Sequence, residues 1–290
     1  MKPVQINKSV KLVVLISMAL LLSACLPIGN YSTGQQASAQ NPSGMPPGAN
    51  DWTCKPTTLH PYPVILLHGT AENANLVFQA LSPMLYDAGY CVYALDYGQY
   101  PAGGAYGLGD IAQSAAQLST FVDEVLSSTG AKQVDIVGHS QGGMMPRYYM
   151  KFLSGASKVN TLVGLAPSNH GTTLANPTTL QQLGLTQPAW GEQWTYSSFI
   201  TNLNATGDTV AGPTYVVIET SDDEIVQPYS SAFLSGANVT NILVQNQCPS
   251  DNTGHIGLPY DSVALQDVMD ALMLIPSFTQ PLCGGYGPTT

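Results

Sequence analysis

Short apolar runs alternate with helical patterns along the chain from residue 51 onward. Each run is continuous rather than alternating, which is typical of strands that are buried on both faces of a parallel sheet. The runs are residues 63–67, 91–95, 134–137, 161–165, 215–219 and 239–244. The alternation predicts an α/β fold, with a mostly parallel central sheet and helices on both faces.

Two helices are marked by their spacing and by their ends. Apolar residues recur at helical spacing over residues 111–126, as on the buried face of an amphipathic helix. Asp110 can cap the start of this helix, and Gly130 can end it. A closing helix is predicted near the end of the chain, beginning at Asp261 or Ser262.

The first 24 residues predict an export signal. Three lysines lie within the first 11 residues, and residues 12–24 are almost wholly apolar. A retained membrane helix is the alternative, but the run is shorter than the roughly 20 apolar residues that a span needs. Residues 22–25 read LSAC and resemble a bacterial lipobox, so Cys25 is expected to carry a lipid. Cleavage after residues 37–39 (ASA) is the competing possibility and would give a secreted protein.

The segment after the signal differs in composition from the rest. Residues 26–50 are rich in Ser, Gln, Asn, Gly and Pro and show no hydrophobic periodicity. We expect residues 25–50 to form a flexible, lipid-anchored tether. Residues 51–290 are then long enough for one folded domain, and a monomer is expected.

Charge excludes one class of partner. Charged residues make up 9% of the chain, with 8 Lys and Arg against 18 Asp and Glu. No basic patch is available to bind phosphates, so nucleic-acid binding is not expected.

The cysteines favour an exported protein. With Cys25 set aside, four of the five cysteines remain, and three pairings are possible. Their order relative to the predicted strands and closing helix favours two disulfides. The predicted pairs are Cys54–Cys91 and Cys248–Cys283.

A pentapeptide carries the main chemical signal. Residues 138–142 read GHSQG and come directly after one predicted strand and before a helical stretch. This G-x-S-x-G context is that of the nucleophile elbow in α/β hydrolases, with Ser140 as nucleophile on a strained turn. Gly138 and Gly142 let neighbouring backbone pass close to the bend. We expect His139 to pack beside the sheet rather than act as a base.

The same fold predicts the groups that hold an oxyanion. The first strand ends in His68-Gly69-Thr70, and in α/β hydrolases an N–H of this loop joins the N–H that follows the nucleophile. The predicted oxyanion hole is therefore formed by Thr70 and Gln141. An ordinary glycine turn at a strand end is the alternative explanation for the loop.

The catalytic acid is expected just beyond a late strand and before the catalytic histidine. Residues 222–224 offer three carboxylates directly after the strand at 215–219. Asp223 is favoured because Val226 follows it at the spacing common in such folds, and Asp222 is held in reserve. Glu224 is expected to face solvent.

His255 is the predicted base. It is the histidine that follows both Ser140 and the carboxylates, and it lies in a Gly/Asn/Asp-rich loop. His170 is the rival, but it precedes the acid along the chain. We expect His170 to shape the acyl pocket or to pack structurally. No zinc-ligand spacing is present in the sequence, and the predicted chemistry requires neither a metal nor an organic cofactor.

Longer blocks carry a resemblance to a family. Residues 63–70, 89–98, 134–151, 166–172 and 228–233 are similar to the bacterial class 2 lipases of actinomycetes and related secreted esterases. The resemblance extends over about residues 52–274. It implies triacylglycerol lipase or carboxylesterase activity, and its Asp-Glu-x-Val-x-Pro-Tyr block falls on residues 223–229, which implies Asp223 as the acid. The lipobox departs from the secreted relatives.

An insertion over residues 169–208 holds Trp190 and Trp194. It is expected to be either a helical cap packed on the core or an acyl-binding wall or lid.

The leading hypothesis for the function is a serine hydrolase of carboxylic esters, most simply a triacylglycerol lipase. Its expected partners are an ester or lipid substrate and a membrane that it reaches through the anchor. Polyester hydrolase and short-chain carboxylesterase are the alternative enzymes. A surface lipoprotein that only binds ligands is the non-enzyme alternative.

Overall fold

The computed structural model describes residues 29–273 and 278–289. Its strands are β1 (Val64–Leu67), β2 (Val92–Leu95), β3 (Val134–His139), β4 (Val159–Leu165), β5 (Thr214–Glu219) and β6 (Val239–Leu243). Its longer helices are α1 (Tyr31–Gln40), α4 (Ile111–Thr129), α5 (Gln141–Phe152) and α10 (Ser262–Ala271). The shorter ones are α2 (Ala74–Val77), α3 (Leu81–Asp87), α6 (Pro177–Gln182), α7 (Pro188–Glu192), α8 (Ser198–Asn204) and α9 (Val244–Gln247). Short 3₁₀ turns lie at Ala156–Lys158, Thr173–Ala175, Tyr229–Ala232 and Leu258–Tyr260.

The strands form one parallel sheet in the order β2-β1-β3-β4-β5-β6. The connection after β1 runs to β2 on one side, whereas the connection after β3, which neighbours β1 on the other side, runs to β4 in the opposite direction. Leu67, the last residue of β1, pairs with Gly138 near the end of β3. In open parallel sheets the crevice at such a switch point, outside the carboxyl ends of the strands, is where ligands bind.

Two apolar layers cover the sheet. Val64 and Leu66 of β1 belong to the layer beneath α3 and α10. Ile65 and Leu67 point the other way, into the layer beneath α4 and α5. A strand with apolar residues at every position therefore has a core on each face. The predicted α/β fold with helices on both faces is confirmed.

The predicted helix ends are also present. Asp110 accepts the N–H of Gln113 at 2.8 Å, and Gly130 ends α4 in the left-handed region with φ 78°. Asp261 caps α10 and accepts the N–H groups of Val263 and Ala264. The predicted strands are observed with ends that shift by no more than two residues.

The prediction of a flexible tether is wrong for the described part of residues 26–50. Asn30 and Thr33 form a capping box at the start of α1. Ser38 accepts a hydrogen bond from Asn73 at 2.7 Å, and Tyr31 packs edge-on against Tyr260 with ring centroids 6.0 Å apart. The helix docks through small residues and hydrogen bonds rather than through an apolar stripe, so its sequence shows little hydrophobic periodicity.

Both predicted disulfides are present. Cys54 is bonded to Cys91 and Cys248 to Cys283, and such bonds are typical of proteins in oxidising compartments outside the cytoplasm. The predicted signal and lipid-bearing Cys25 lie outside the described residues. Within residues 29–273 and 278–289, no helix is long and apolar enough to cross a membrane.

The packing of α1 predicts an unusual response to alanine. A Cβ on Gly34 would lie 2.2 Å from the Leu76 carbonyl oxygen and 2.2 Å from the Tyr260 hydroxyl. Gly34→Ala should therefore lower the free energy of unfolding by about 1–3 kcal/mol in denaturant titration, because the crowded site must shift. Gly191→Ala in α7 is the control, since a Cβ there meets nothing within 4 Å. Its stability should stay the same or rise. Equal behaviour of the two variants would contradict the docked position of α1.

Candidate active site

Ser140 lies at the bend between β3 and α5. Its backbone adopts φ 54° and ψ −121°, a conformation that non-glycine residues rarely adopt. A Cβ on Gly138 would lie 1.9 Å from the Gly142 carbonyl oxygen, and one on Gly142 would lie 2.2 Å from that of Leu67. Glycine is therefore required on both sides of the serine, and the bend presents Ser140 at the switch point of the sheet.

The loop after β1 faces this bend. A Cβ on Gly69 would crowd the site, because it would lie 2.6 Å from Glu72 Oε2 and 3.0 Å from Ser140 Cβ. The Thr70 hydroxyl accepts hydrogen bonds from the side-chain amides of Gln141 at 2.8 Å and Gln193 at 2.7 Å. These bonds tie the two residues predicted for the oxyanion hole to each other. Gln141 is the first residue of α5, a position whose N–H has no acceptor within its own helix.

Asp223 and His255 form a buried pair. His255 Nδ1 lies 2.7 Å from Asp223 Oδ2, and the exposed fractions of the two residues are 2% and 1%. Asp223 Oδ1 accepts the backbone N–H groups of Ile225 and Val226. Burial alone would raise the pKa of Asp223, but these bonds and His255 outweigh burial and lower it. Asp222, the reserve candidate, is exposed.

The backbone of His255 is held from two directions. Its N–H donates to Glu224 Oε2 at 3.0 Å, and its carbonyl oxygen lies 3.0 Å from His139 Nε2. The prediction that Glu224 faces solvent is therefore wrong, because its side chain turns inward to bind the histidine loop. His139 packs beside the sheet as expected, but it does so through hydrogen bonds as well as through burial.

A second carboxyl group lies close to Asp223. Glu219 ends β5, is fully buried and accepts the N–H of Thr220 at 2.8 Å. Burial, followed by the neighbouring charge of Asp223, raises the pKa of Glu219 well above its usual range. Both effects favour the neutral form of Glu219, whereas the lowered pKa of Asp223 favours its charged form beside His255.

Ser140 and His255 open into one cavity of about 140 Å³. Other lining residues are Thr70, Glu72, His139, Ser168, Thr172, Ala175, Trp190, Gln193, Ile225, Val226 and Ile256. The Ser140 hydroxyl makes no hydrogen bond to the described residues, an arrangement common in active sites without a bound substrate. The cavity thus joins a serine, a histidine–aspartate pair and an apolar wall.

Trp190 lines the cavity, whereas Trp194 and His170 do not. Trp194 packs against Tyr196, with ring centroids 5.4 Å apart. His170 Nε2 lies 3.0 Å from Asp208, and its Nδ1 lies 2.9 Å from the Ser231 carbonyl oxygen. The structural alternative for His170 fits these contacts, and pocket roles for His170 and Trp194 stay predictions.

Sequence reasoning missed two residues at the site. Glu72 Oε2 accepts the N–H of Gly69 at 2.7 Å and lies 2.9 Å from His139 Nδ1. Gln193 binds both Thr70 and Ser168. Neither residue lies in a local motif, since each reaches the site from a separate loop. Within residues 29–273 and 278–289, no cluster of three His, Cys, Asp or Glu side chains is arranged to hold a metal ion.

The strand order, the bend at Ser140 and the late-strand aspartate paired with a histidine define the α/β-hydrolase class. Residues 61–266 match the model of the class 2 lipases, and the chain belongs to this family. The fold is similar to that of Aspergillus fumigatus lipase B, with a TM-score of 0.63, 24% identity and coverage of 76% of this chain and 55% of that one. A Bacillus licheniformis lipase in its mature form matches with a TM-score of 0.51 and 15% identity, over 65% and 85% of the two chains.

Two of the relatives that match by sequence are lipases. Lipase B of Pseudozyma antarctica is 28% identical over 189 residues, which are 61% of this chain and 52% of the relative. A triacylglycerol lipase of Pseudarthrobacter phenanthrenivorans is 38% identical over 93 residues, 30% of this chain and 27% of the relative. The matched region thus spans about half the length of the first relative and about a quarter of the second.

Proposed function

We propose that this protein is a serine hydrolase of carboxylic esters and that triacylglycerols are among its substrates. The observation that carries the proposal is the buried His255–Asp223 pair, which shares a cavity with a serine held at a strained strand-to-helix bend. The class 2 lipase family supports the same chemistry, and the relatives include a triacylglycerol lipase.

In the proposed mechanism, His255 Nε2 takes the proton of the Ser140 hydroxyl as Oγ attacks the ester carbonyl carbon. Asp223 accepts the Nδ1–H, holds the ring in the required tautomer and stabilises the imidazolium that forms. His255 then passes the proton to the departing alkoxide. Water, activated by the same histidine, attacks the acyl-enzyme, and the acid is released with Ser140 restored.

The negative charge of each tetrahedral intermediate needs donors that are already in place. The backbone N–H groups of Thr70 and Gln141 are the proposed donors, and the first turn of α5 adds the positive end of its dipole. Gln193, in the insertion over residues 169–208, supports them by binding the Thr70 hydroxyl at 2.7 Å. The donors are thus fixed before substrate arrives.

The cavity limits how much of the acyl chain can be buried. Its volume of about 140 Å³ is close to that of an engineered apolar cavity that takes up benzene, about 150 Å³. Trp190, Ile225 and Ile256 supply apolar wall. An acyl group of about six carbons would fill this space, and a longer chain would extend over the partly exposed Ile225.

The acid assignment predicts unequal effects at adjacent positions. Asp223→Asn should lower kcat by about 10⁴-fold, because the amide favours the wrong histidine tautomer. Asp222→Asn is the matched control, and its kcat should stay within about twofold, because Asp222 is exposed. Stopped-flow and steady-state assays with p-nitrophenyl butyrate would measure both. The reverse ranking would move the catalytic role to Asp222.

Acyl-chain dependence tests the substrate class. We expect kcat/KM for p-nitrophenyl esters to rise from acetate by up to about fourfold per buried methylene and to level off near hexanoate or octanoate. Emulsified tributyrin and trioctanoin should be hydrolysed, and Ser140→Ala should abolish all turnover. Activity on acetate and butyrate esters without triglyceride hydrolysis would indicate a short-chain carboxylesterase. Release of monomers from a polyester film would favour a polyester hydrolase, and a folded protein without Ser140-dependent turnover would favour a binding module.

We also propose that residues 1–24 direct export and that Cys25 then carries a lipid. Because α1 begins at Tyr31 and docks on the domain, the chain from Cys25 to Asn30 could reach at most about 17 Å. The lipid would hold the domain close to the membrane surface instead of on a long tether.

The anchor proposal predicts a change of location. Cys25→Ser should move the enzyme from the membrane fraction to the soluble fraction or leave it unprocessed, as measured by fractionation and by mass spectrometry of the mature N-terminus. Cys25→Ser should leave kcat/KM of any processed enzyme unchanged. A wild-type N-terminus at Gln40 would contradict the proposal, and that cut would also fall inside α1.

A further inference from the structure

Glu72 and His139 connect two loops that the proposed mechanism needs. Glu72 Oε2 accepts the N–H of Gly69 at 2.7 Å, next to Thr70 in the loop after β1. The same oxygen lies 2.9 Å from His139 Nδ1. His139 Nε2 lies 3.0 Å from the carbonyl oxygen of His255. A continuous chain of hydrogen bonds therefore links the oxyanion loop to the backbone of the proposed base.

The partners of His139 determine where its protons lie. A backbone carbonyl can only accept, so Nε2 must donate to His255. An ionised Glu72 can also only accept, so Nδ1 must donate as well. The contacts therefore require either an imidazolium beside a carboxylate, or a neutral imidazole beside a protonated Glu72. In both cases Glu72 and His139 together carry one more proton than a carboxylate and a neutral imidazole would.

The surroundings favour the charged form of the pair. Burial alone would lower the pKa of His139, but the charge and hydrogen bond of Glu72 outweigh burial and raise it. Burial alone would raise the pKa of Glu72, but the charge and hydrogen bond of His139 outweigh burial and lower that pKa. A raised pKa for the histidine and a lowered pKa for the carboxyl group are the shifts expected of a buried ion pair. Since His139 is 1% exposed, water screens this pair little.

Other titratable groups face His139 from the neighbouring loops. His68 is neutral, because its Nε2 accepts the Tyr97 N–H and burial lowers its pKa. The ring of His255 lies 4.8 Å from that of His139, centroid to centroid. Asp223 acts from behind His255 and raises the pKa of His139 further. Glu224 holds the N–H of His255 at 3.0 Å.

We propose that Glu72 and His139 are positioning residues for ester hydrolysis, and that their ion pair fixes the oxyanion loop and the His255 loop relative to each other. The inference rests on the proposed function. The bonds to Gly69 and to His255 act on backbone, so the pair sets the position of the Thr70 N–H and of the His255 ring without touching the reacting atoms. An error of about 1 Å in such positions can cost about 100-fold in rate.

The test uses Glu72→Gln, His139→Gln and the double variant in the full-length protein. Each single change should lower kcat for p-nitrophenyl butyrate by about 10- to 100-fold and leave KM within about twofold. The double variant should be no slower than the slower single variant, because the two residues act as one unit. Glu192→Gln is the matched control. Glu192 also accepts a backbone N–H, that of Ile111 at 2.9 Å, and its kcat should be unchanged.

The pH profile gives a readout that packing alone would not change. The pKa of His139 is raised, so its contribution is complete at low pH and is lost as pH rises through that raised value. Wild-type kcat should therefore fall on the alkaline side. In Glu72→Gln this fall should move to lower pH, and in His139→Gln it should be absent.

The protonation of the ring can be measured directly. In wild-type protein, ¹⁵N NMR should show both ring nitrogens of His139 protonated at neutral pH, with the signals assigned by correlation of the ring to the His139 backbone. Glu72→Gln should show one unprotonated nitrogen. If a variant fails to fold, the wild-type spectrum decides, and a singly protonated ring would overturn the proposal.

Two outcomes separate the inference from the function on which it rests. Ser140-dependent turnover with normal kcat and pH profiles in folded Glu72→Gln and His139→Gln would overturn only the positioning role. Absence of Ser140-dependent turnover in the wild type would overturn the proposed function, and the inference with it.

Discussion

At Ser140 the chain turns from β3 into α5 with φ 54° and ψ −121°, a conformation that costs a residue with a side chain about 1–3 kcal/mol. The surrounding structure holds it there. The Ser140 N–H donates to the Leu165 carbonyl oxygen at 2.8 Å, and Gly138 and Gly142 approach so closely that neither could carry a Cβ. The buried strands β1 and β4, which flank β3, hold the strained bend in place, so the serine is fixed at the switch point of the sheet.

The remaining parts of the site are arranged around that bend. β1 and β3 are neighbours, which brings the loop containing Thr70 beside Ser140, and β5 delivers Asp223 two strands away. The His255 loop is separated from β6 by α9 and is held by surrounding contacts. Gly254 donates to the Pro288 carbonyl oxygen at 3.1 Å, and the Cys248–Cys283 bond ties this terminal segment to the chain before the histidine loop. The base is thus fixed by tertiary contacts, whereas the nucleophile is fixed by the sheet.

This difference explains what the sequence could predict. All six strands were predicted from short apolar runs, and the elbow was visible because a glycine on each side of Ser140 is a local requirement. Glu72, Glu224 and Gln193 were missed or misassigned because each has at least one partner distant in sequence, and a polar residue on a loop resembles a solvated one. The docked helix α1 was missed for a related reason. Gly34 allows close contact with Leu76 and Tyr260, a use of glycine that composition alone cannot distinguish from a flexible linker.

The contacts of the insertion bear on how substrate reaches Ser140. Arg147 of α5 is 1% exposed and donates to the carbonyl oxygens of Asp208 and Asn169 and to the side chain of Asn204. These residues lie at both ends of the insertion, whose α7 carries Trp190 over the cavity. Lifting the insertion as one body would break all three bonds to one guanidinium, and a hydrogen bond to a charged group contributes about 1.5–3 kcal/mol. The ends of the insertion are therefore held to α5, whereas the segment between them, where Leu174 and Leu183 are exposed, is not bound by Arg147.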